Sequence, residues 1–105
     1  MCKARRCNEC QTDISALDMR AEFCGTPCRL KWHNRRMQRG AELYDLFMAC
    51  RYDRGLAKAL GLWALVCRMA SYWNDEDKAA GRRSYFKPEV AKDKALRYQG
   101  IRGHL

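Results

Sequence analysis

The stretch Phe23-Cys24-Gly25-Thr26-Pro27-Cys28-Arg29 decides how this chain is read, because it sets two thiol ligands against the start of a helix. Threonine is a good helix N-cap, and proline suits the first helical position, where its missing N–H would be unpaired anyway. Upstream lies a second pair, Cys7-Asn8-Glu9-Cys10, separated from Cys24 by thirteen residues. A two-residue gap lets a tight turn aim two thiolates at one ion. A three-residue gap takes one ligand from a turn and the other from the first turn of a helix. Cys7, Cys10, Cys24 and Cys28 are therefore expected to hold one zinc ion tetrahedrally. Four protein thiolates leave no open position for water or substrate, so the ion is expected to be structural. Its task would be to hold a segment with few apolar residues of its own.

These residues resemble a treble-clef zinc finger of the "FCS" type. They are similar to the small zinc proteins of the DNA gyrase inhibitor family, which share the Cys-x2-Cys and Cys-x3-Cys arrangement. Family fingers usually carry serine where this chain has Gly25. The resemblance covers residues 5 to about 32 and implies the fold of that segment, with DNA binding, RNA binding or protein docking as its uses. Further on, Arg39–Leu46 is faintly similar to bacterial and prophage proteins without an assigned role.

The chain has 105 residues, enough for one domain. The N-terminus carries no apolar signal segment. Its longest apolar run, Ala59 to Cys67, is far short of the ~20 residues that a membrane span needs. A cytoplasmic protein with no membrane role is expected. In that reducing compartment seven cysteines, an odd number, argue for metal binding over disulfides. Cys50 and Cys67 lie in apolar helical patterns and read as core thiols, while Cys2 is too far from Cys7 to be a first-choice ligand.

The formal charge of +9 is unevenly spread. Residues 1–40 hold nine basic and four acidic side chains, residues 41–81 five and six, and residues 82–105 seven and two. Two basic ends thus flank a nearly neutral, apolar middle. A four-thiolate zinc site removes two units and leaves the chain strongly basic, which suits a polyanionic partner.

The helix opened by Pro27 is expected to run to Arg39. At about 100° per residue, Lys31, Trp32, Arg35, Arg36 and Arg39 share one face, with Arg29 at its margin. Such a face presents guanidinium forks to phosphates, and Trp32 either stacks on a base or covers the small core of the finger. Arg29 and Arg35 would contact base edges if the helix enters a groove. A second basic cluster, Arg82, Arg83 and Lys87, is interleaved with Tyr85 and Phe86. Those aromatics suit stacking on bases or, slightly better, anchoring of the last segment.

On an unbroken helix, the Leu43/Leu46/Phe47/Cys50 stripe would fall on the same face as the arginines. Either Gly40 breaks the helix or the arginines belong to the core boundary with buried stems, and we expect the break. A second helix should span Ala41 to Arg54, with Gly55 as its C-cap. A third, Leu56–Trp73, is apolar over so much of its surface that it is expected to supply the core. Asn74 should cap a short helix from Asp75 to Ala80, ended by Gly81, where helix-dipole preference explains the acids. Pro88 should open a last helix to about Gln99, ahead of a loose tail over residues 100–105.

The expected fold is mainly α, a treble-clef zinc finger over residues 5–39 packed on a helical bundle over residues 41–99 within one domain. No catalytic constellation stands out. The two histidines, His33 and His104, lack acidic partners at a useful spacing, so no enzyme is expected. The reading is a zinc-dependent nucleic-acid-binding protein, with double-stranded DNA as target and a regulatory role. The alternative is a protein-docking module acting on a larger nucleic-acid enzyme. An apolar patch formed by Tyr44, Phe47, Tyr52, Trp63, Tyr72 and Trp73 would favour that alternative or a homodimer.

Overall fold

A computed structural model describes residues 5–97, and these are mainly helical. Four helices follow a non-helical N-terminal segment: α1 (Thr26–Tyr52), α2 (Arg54–Ala59), α3 (Leu62–Ala79) and α4 (Pro88–Leu96). Cys2, Gln99 and the tail over residues 100–105 lie outside the described residues.

The N-terminal segment folds as a turn held by main-chain bonds. Arg6 and Asp13 form an antiparallel bridge. The Cys7 N–H donates to Thr12 O at 2.8 Å, and the Gln11 N–H donates to Cys7 O at 2.9 Å. Gln11 closes the turn at φ 64°, a left-handed conformation that costs a non-glycine residue about 1 kcal/mol. Its side-chain amide offsets part of that cost by donating to Cys7 O at 3.1 Å. The Asn8 N–H donates to Glu22 O at 3.0 Å, while Asn8 O accepts from the Arg83 N–H at 3.0 Å. Asn8 is thus a buried junction between the turn, the Glu22 segment and the non-helical strap over residues 82–87 that follows α3.

Arg5 organises the loop between the two cysteine pairs. Its guanidinium donates to the carbonyls of Leu17 at 2.7 Å, Asp18 at 2.9 Å, Ile14 at 3.3 Å and Ala21 at 3.4 Å. Ile14 is folded inward beneath it, and the Asp13 carboxylate accepts from the Ser15 N–H at 2.8 Å.

Helix α1 is the main correction to the sequence reading. It runs unbroken for 27 residues, roughly 40 Å at about 1.5 Å per residue, and Gly40 lies inside it. An interior glycine costs a helix about 1 kcal/mol relative to alanine, which tertiary contacts readily outweigh. Gly25 rather than Thr26 occupies the N-cap position, with Pro27 in the first turn. Gly55 likewise lies within α2 and does not end a helix.

The chain breaks instead at Asp53 and at Gly61, whose φ of 69° is left-handed. The expected Leu56–Trp73 helix is therefore two pieces. The Gly61 N–H caps α2 by donating to Lys58 O at 3.1 Å, and α3 starts directly afterwards. The expected Asp75–Ala80 helix is the end of α3. There Gly81, at φ 71°, lets its own N–H reach Lys78 O at 3.1 Å and the Arg82 N–H reach Asp77 O at 3.0 Å. This pair of bonds is a Schellman terminus. The acids thus sit at the negative end of the helix dipole, opposite to the expected placement.

The core also lies elsewhere than expected. Among the described residues its buried apolar members are Cys7, Ile14, Trp32, Ala57 and Phe86, and α3 contributes none of them. Trp32 packs at 5.9 Å from Phe23 and at 5.9 Å, edge-on, from Phe86. The core is therefore built mainly by the cysteine segment, the first half of α1 and the strap, with Ala57 added from α2. Helix α3 returns along α1 with Leu62, Val66, Met69 and Trp73 half-buried. One neighbouring helix covers too little of its broad apolar surface to bury them. Cys50 is half-buried and Cys67 exposed, so neither is a fully buried core thiol. Among the described residues, no helix is long and apolar enough to cross a membrane.

Candidate functional site

Cys7 and Cys10 ride on the turn, Cys24 precedes α1, and Cys28 lies in the first turn of α1. All four sulfurs lie within 4.8 Å of one another. Cys24 Sγ is 3.6 Å from Cys10 Sγ and 3.5 Å from Cys28 Sγ. A tetrahedral ion with thiolate bonds of ~2.3 Å needs sulfur separations of about 3.8 Å, so the donor set fits. Cys7 is fully buried, Cys28 half-buried, and Cys10 and Cys24 face solvent. Thr12, which the spacing argument had not singled out, places its hydroxyl 3.0 Å from Cys10 Sγ. Hydrogen bonds from the Thr12 hydroxyl and then its backbone, with smaller effects from Cys24 and Cys7, pull the Cys10 thiol down to about 6. At the other extreme, Cys24 pushes the Cys28 thiol up to about 12. Four crowded sulfurs cannot all ionise alone, and a cation replacing their protons removes the conflict.

The nine residues read as a nucleic-acid surface separate into different environments. Trp32 is buried in the core and does not face a ligand. Arg35 turns inward and grips both carboxylate oxygens of Glu9, one of them at 3.1 Å. Both side chains are largely buried, and the Arg35 hydrogen bond holds the Glu9 carboxyl below its usual range.

Arg39 joins α1 to the end of α3. Its guanidinium meets Asp77 at 2.9 and 3.0 Å and Glu76 at 2.9 Å, and it lies 5.5 Å from the Trp73 ring centre. Arg82 approaches the same acids from the strap, at 2.7 Å to Asp77 and 2.9 Å to Glu76. The Asp77 side chain is only 5 % exposed. Burial opposes its ionisation, but the bonds and charges of Arg39 and Arg82 prevail and lower its pKa. These stems at the core boundary are what an unbroken α1 requires.

Arg36 lies over Trp32 at 4.9 Å and Phe86 at 5.3 Å. Arg83 covers the same Phe86 ring at 4.4 Å, and Lys94 of α4 covers it at 4.8 Å. Phe86 is thus the core anchor of the C-terminal segment, whereas Tyr85 is exposed.

Arg29 and Lys31 are exposed on the first turns of α1, and Arg83 and Lys87 are exposed on the strap. Arg83 borders an open cleft of about 630 Å³ with Arg5, Arg6, Arg82, Ala21 and Glu22. Ala21 and Glu22 also border the neighbouring cleft that holds Arg20 and Arg29. Basic side chains therefore run around the cysteine end, crossed by Glu22, which pairs with Lys94 at 3.3 Å.

The inward arginines were missed because Glu9, Glu76 and Asp77 were not read as their partners. The signal was present: a face of unrelieved arginine beside one compact acidic run, Asp75-Glu76-Asp77, in an otherwise basic protein.

Comparison with protein-family models, curated proteins and solved structures finds no match to this chain.

Proposed function

We propose that the protein is a zinc-stabilised, treble-clef nucleic-acid-binding module that contacts phosphates of double-stranded DNA in a regulatory role. The observation that carries this reading is the basic surface around the cysteine end, with Arg6, Arg20, Arg29, Lys31, Arg83 and Lys87 exposed. It differs from the surface expected from the helix face alone. Arg35, Arg39 and Arg82 act as internal braces, and the phosphate contacts pass to side chains around the two clefts. The zinc ion supplies a rigid seat for the turn and the start of α1 and leaves the bonding chemistry to these side chains.

The test is the affinity of the zinc-loaded chain for a random-sequence duplex at several salt concentrations. Counterion release gives a log–log slope of about −0.9 per neutralised phosphate, so four contacts correspond to about −3.6. Joint replacement of Arg6, Arg29, Lys31 and Arg83 by glutamine should flatten that slope and weaken binding. No binding at low salt, or an unchanged slope in the variant, overturns the proposal.

A second reading, docking to a protein, is favoured by the side chains exposed on α1 to α3. Tyr44, Phe47, Tyr52, Trp63 and Tyr72 are each more than half exposed. A nuclease-insensitive complex with one protein, without DNA affinity, would select it.

A further inference from the structure

We infer that the α1/α3 hairpin is a self-association surface on which a second copy of this chain completes a four-helix bundle. A groove of about 590 Å³ lies between the two helices and Tyr85, floored by Gly40, Leu43, Ala70 and Trp73 and edged by Arg36 and the Arg39–Asp77 pair. By helical spacing, Phe47 continues the Gly40/Leu43 flank of α1, and Trp63 and Cys67 continue the Ala70 flank of α3.

Three observations choose the occupant. The first is charge. Each end of this +9 chain repels its like, whereas residues 41–81 carry five basic and six acidic side chains. Two copies can therefore meet along the 41–81 part of the hairpin with little repulsion.

The second is shape. The patch holds both a hollow and the side chains to fill one: Gly40, Ala70 and Ser71 form small floor positions, and Phe47 and Trp63, 55 % and 62 % exposed, stand about two turns further along the same flanks. A Cβ added to Gly40 would meet nothing within 4 Å, so packing inside the chain does not demand glycine there. Glycine in mid-helix is unfavourable, and a close-approaching second helix supplies a reason for it. A surface carrying its own complement suits a two-fold interface.

The third is area. With large aromatic side chains presenting ~150–250 Å², the exposed parts of Phe47, Trp63 and Tyr85 amount to roughly 400 Å². That is about half of the ~800 Å² each partner gives to a standard interface, before the groove floor is included. The half-buried Leu43, Met69 and Trp73 would then be covered on both sides, and two antiparallel hairpins would form one bundle.

The experiment is sedimentation equilibrium of the metal-loaded full chain without nucleic acid, from about 1 to 100 µM, a range bracketing typical weak dimers. The expected species has twice the 12.3 kDa of the chain. Gly40→Gln fills the hollow with a good helix former and should weaken the dimer at least about tenfold while helix content by circular dichroism is kept. Phe47→Lys should do the same from the rim. A 12.3 kDa species at every concentration overturns the inference, as does a dimer unaffected by both substitutions. Stoichiometric capture of a different protein by a monomeric chain also overturns it. None of these outcomes depends on whether the cysteine end binds DNA.

Discussion

Arg39, in the middle of α1, and Asp77, in the last turn of α3, are joined by two hydrogen bonds of 2.9 and 3.0 Å across 38 positions of sequence. The pair settles how α1 and α3 are held together. It also helps explain why acids are tolerated near a helix C-terminus, where the dipole disfavours them. Arg82 supplies the second cation, and Glu76 the second acid, of the same cluster.

Removing the buried acid should be far more damaging than removing the outer one. Asp77→Asn leaves two inward guanidinium groups without their main partner and should cost about 3 kcal/mol. Glu76 is 42 % exposed at its side chain, and Glu76→Gln should cost less than about 1 kcal/mol. Urea denaturation of the two variants checks the ratio. Equal losses would show that Asp77 is not the centre of the cluster.

The same cluster makes stability depend on pH. Asp77 titrates lower in the folded protein than its ordinary value of 3.8, with Arg39 of α1, Arg82 of the strap and neighbouring Glu76 facing it. A lowered folded-state pKa means that the unfolded chain takes up the proton first. The contribution is present above pH ~4 and is lost as pH falls through the folded value. Comparing unfolding of the wild type and Asp77→Asn from pH 7 to pH 3 isolates it, since the acid sensitivity of the metal ligands is common to both. The gap between the two curves should narrow in acid. A constant gap would remove Asp77 from the acid response.

Arg5 should resist conservative replacement. Its planar fork reaches four carbonyls around the 14–21 loop, and a lysine ammonium is a point charge that cannot span them. Arg5→Lys should destabilise the protein by about 2 kcal/mol, with amide exchange rising first over residues 14–21. Wild-type exchange in the variant would contradict the clasp.

Metal binding should depend on four of the seven cysteines. Serine at Cys7, Cys10, Cys24 or Cys28 should abolish stoichiometric binding or weaken it severely, and cobalt substitution should give a tetrahedral thiolate spectrum only in the intact set. Serine at Cys50 or Cys67 should leave one ion per chain. Chelation should release the turn and expose Trp32, which packs against Phe23 and, edge-on, Phe86. Its burial can be followed by tryptophan quenching in a chain where Trp63 and Trp73 are phenylalanine. Unchanged quenching on metal removal would show that the aromatic core stands without the ion.

What the sequence determined by itself was local. Cys7-x2-Cys10 and Cys24-x3-Cys28 each fix the reach of two thiols within a turn, and Thr26-Pro27 marks the start of α1 within one residue. The mainly helical fold was likewise legible in the spacing of apolar residues. Gly81 was correctly read as a helix end because its left-handed backbone and the N–H bonds of Gly81 and Arg82 are all contained within six residues.

Tertiary structure decided what depends on residues far apart. Gly40 stays helical while Gly61 ends a helix, because α1 must reach unbroken from Trp32 in the core to its pairing with α3. The role of each arginine was equally invisible along one helix face. Arg35 and Arg39 turn inward because Glu9 and Asp77 arrive from 26 and 38 positions away, whereas Arg29 and Lys31 stay exposed, Lys31 acting on Glu9 only through its charge. Helical periodicity fixes which side chains share a face, but the charge that reaches that face is set by the rest of the folded chain.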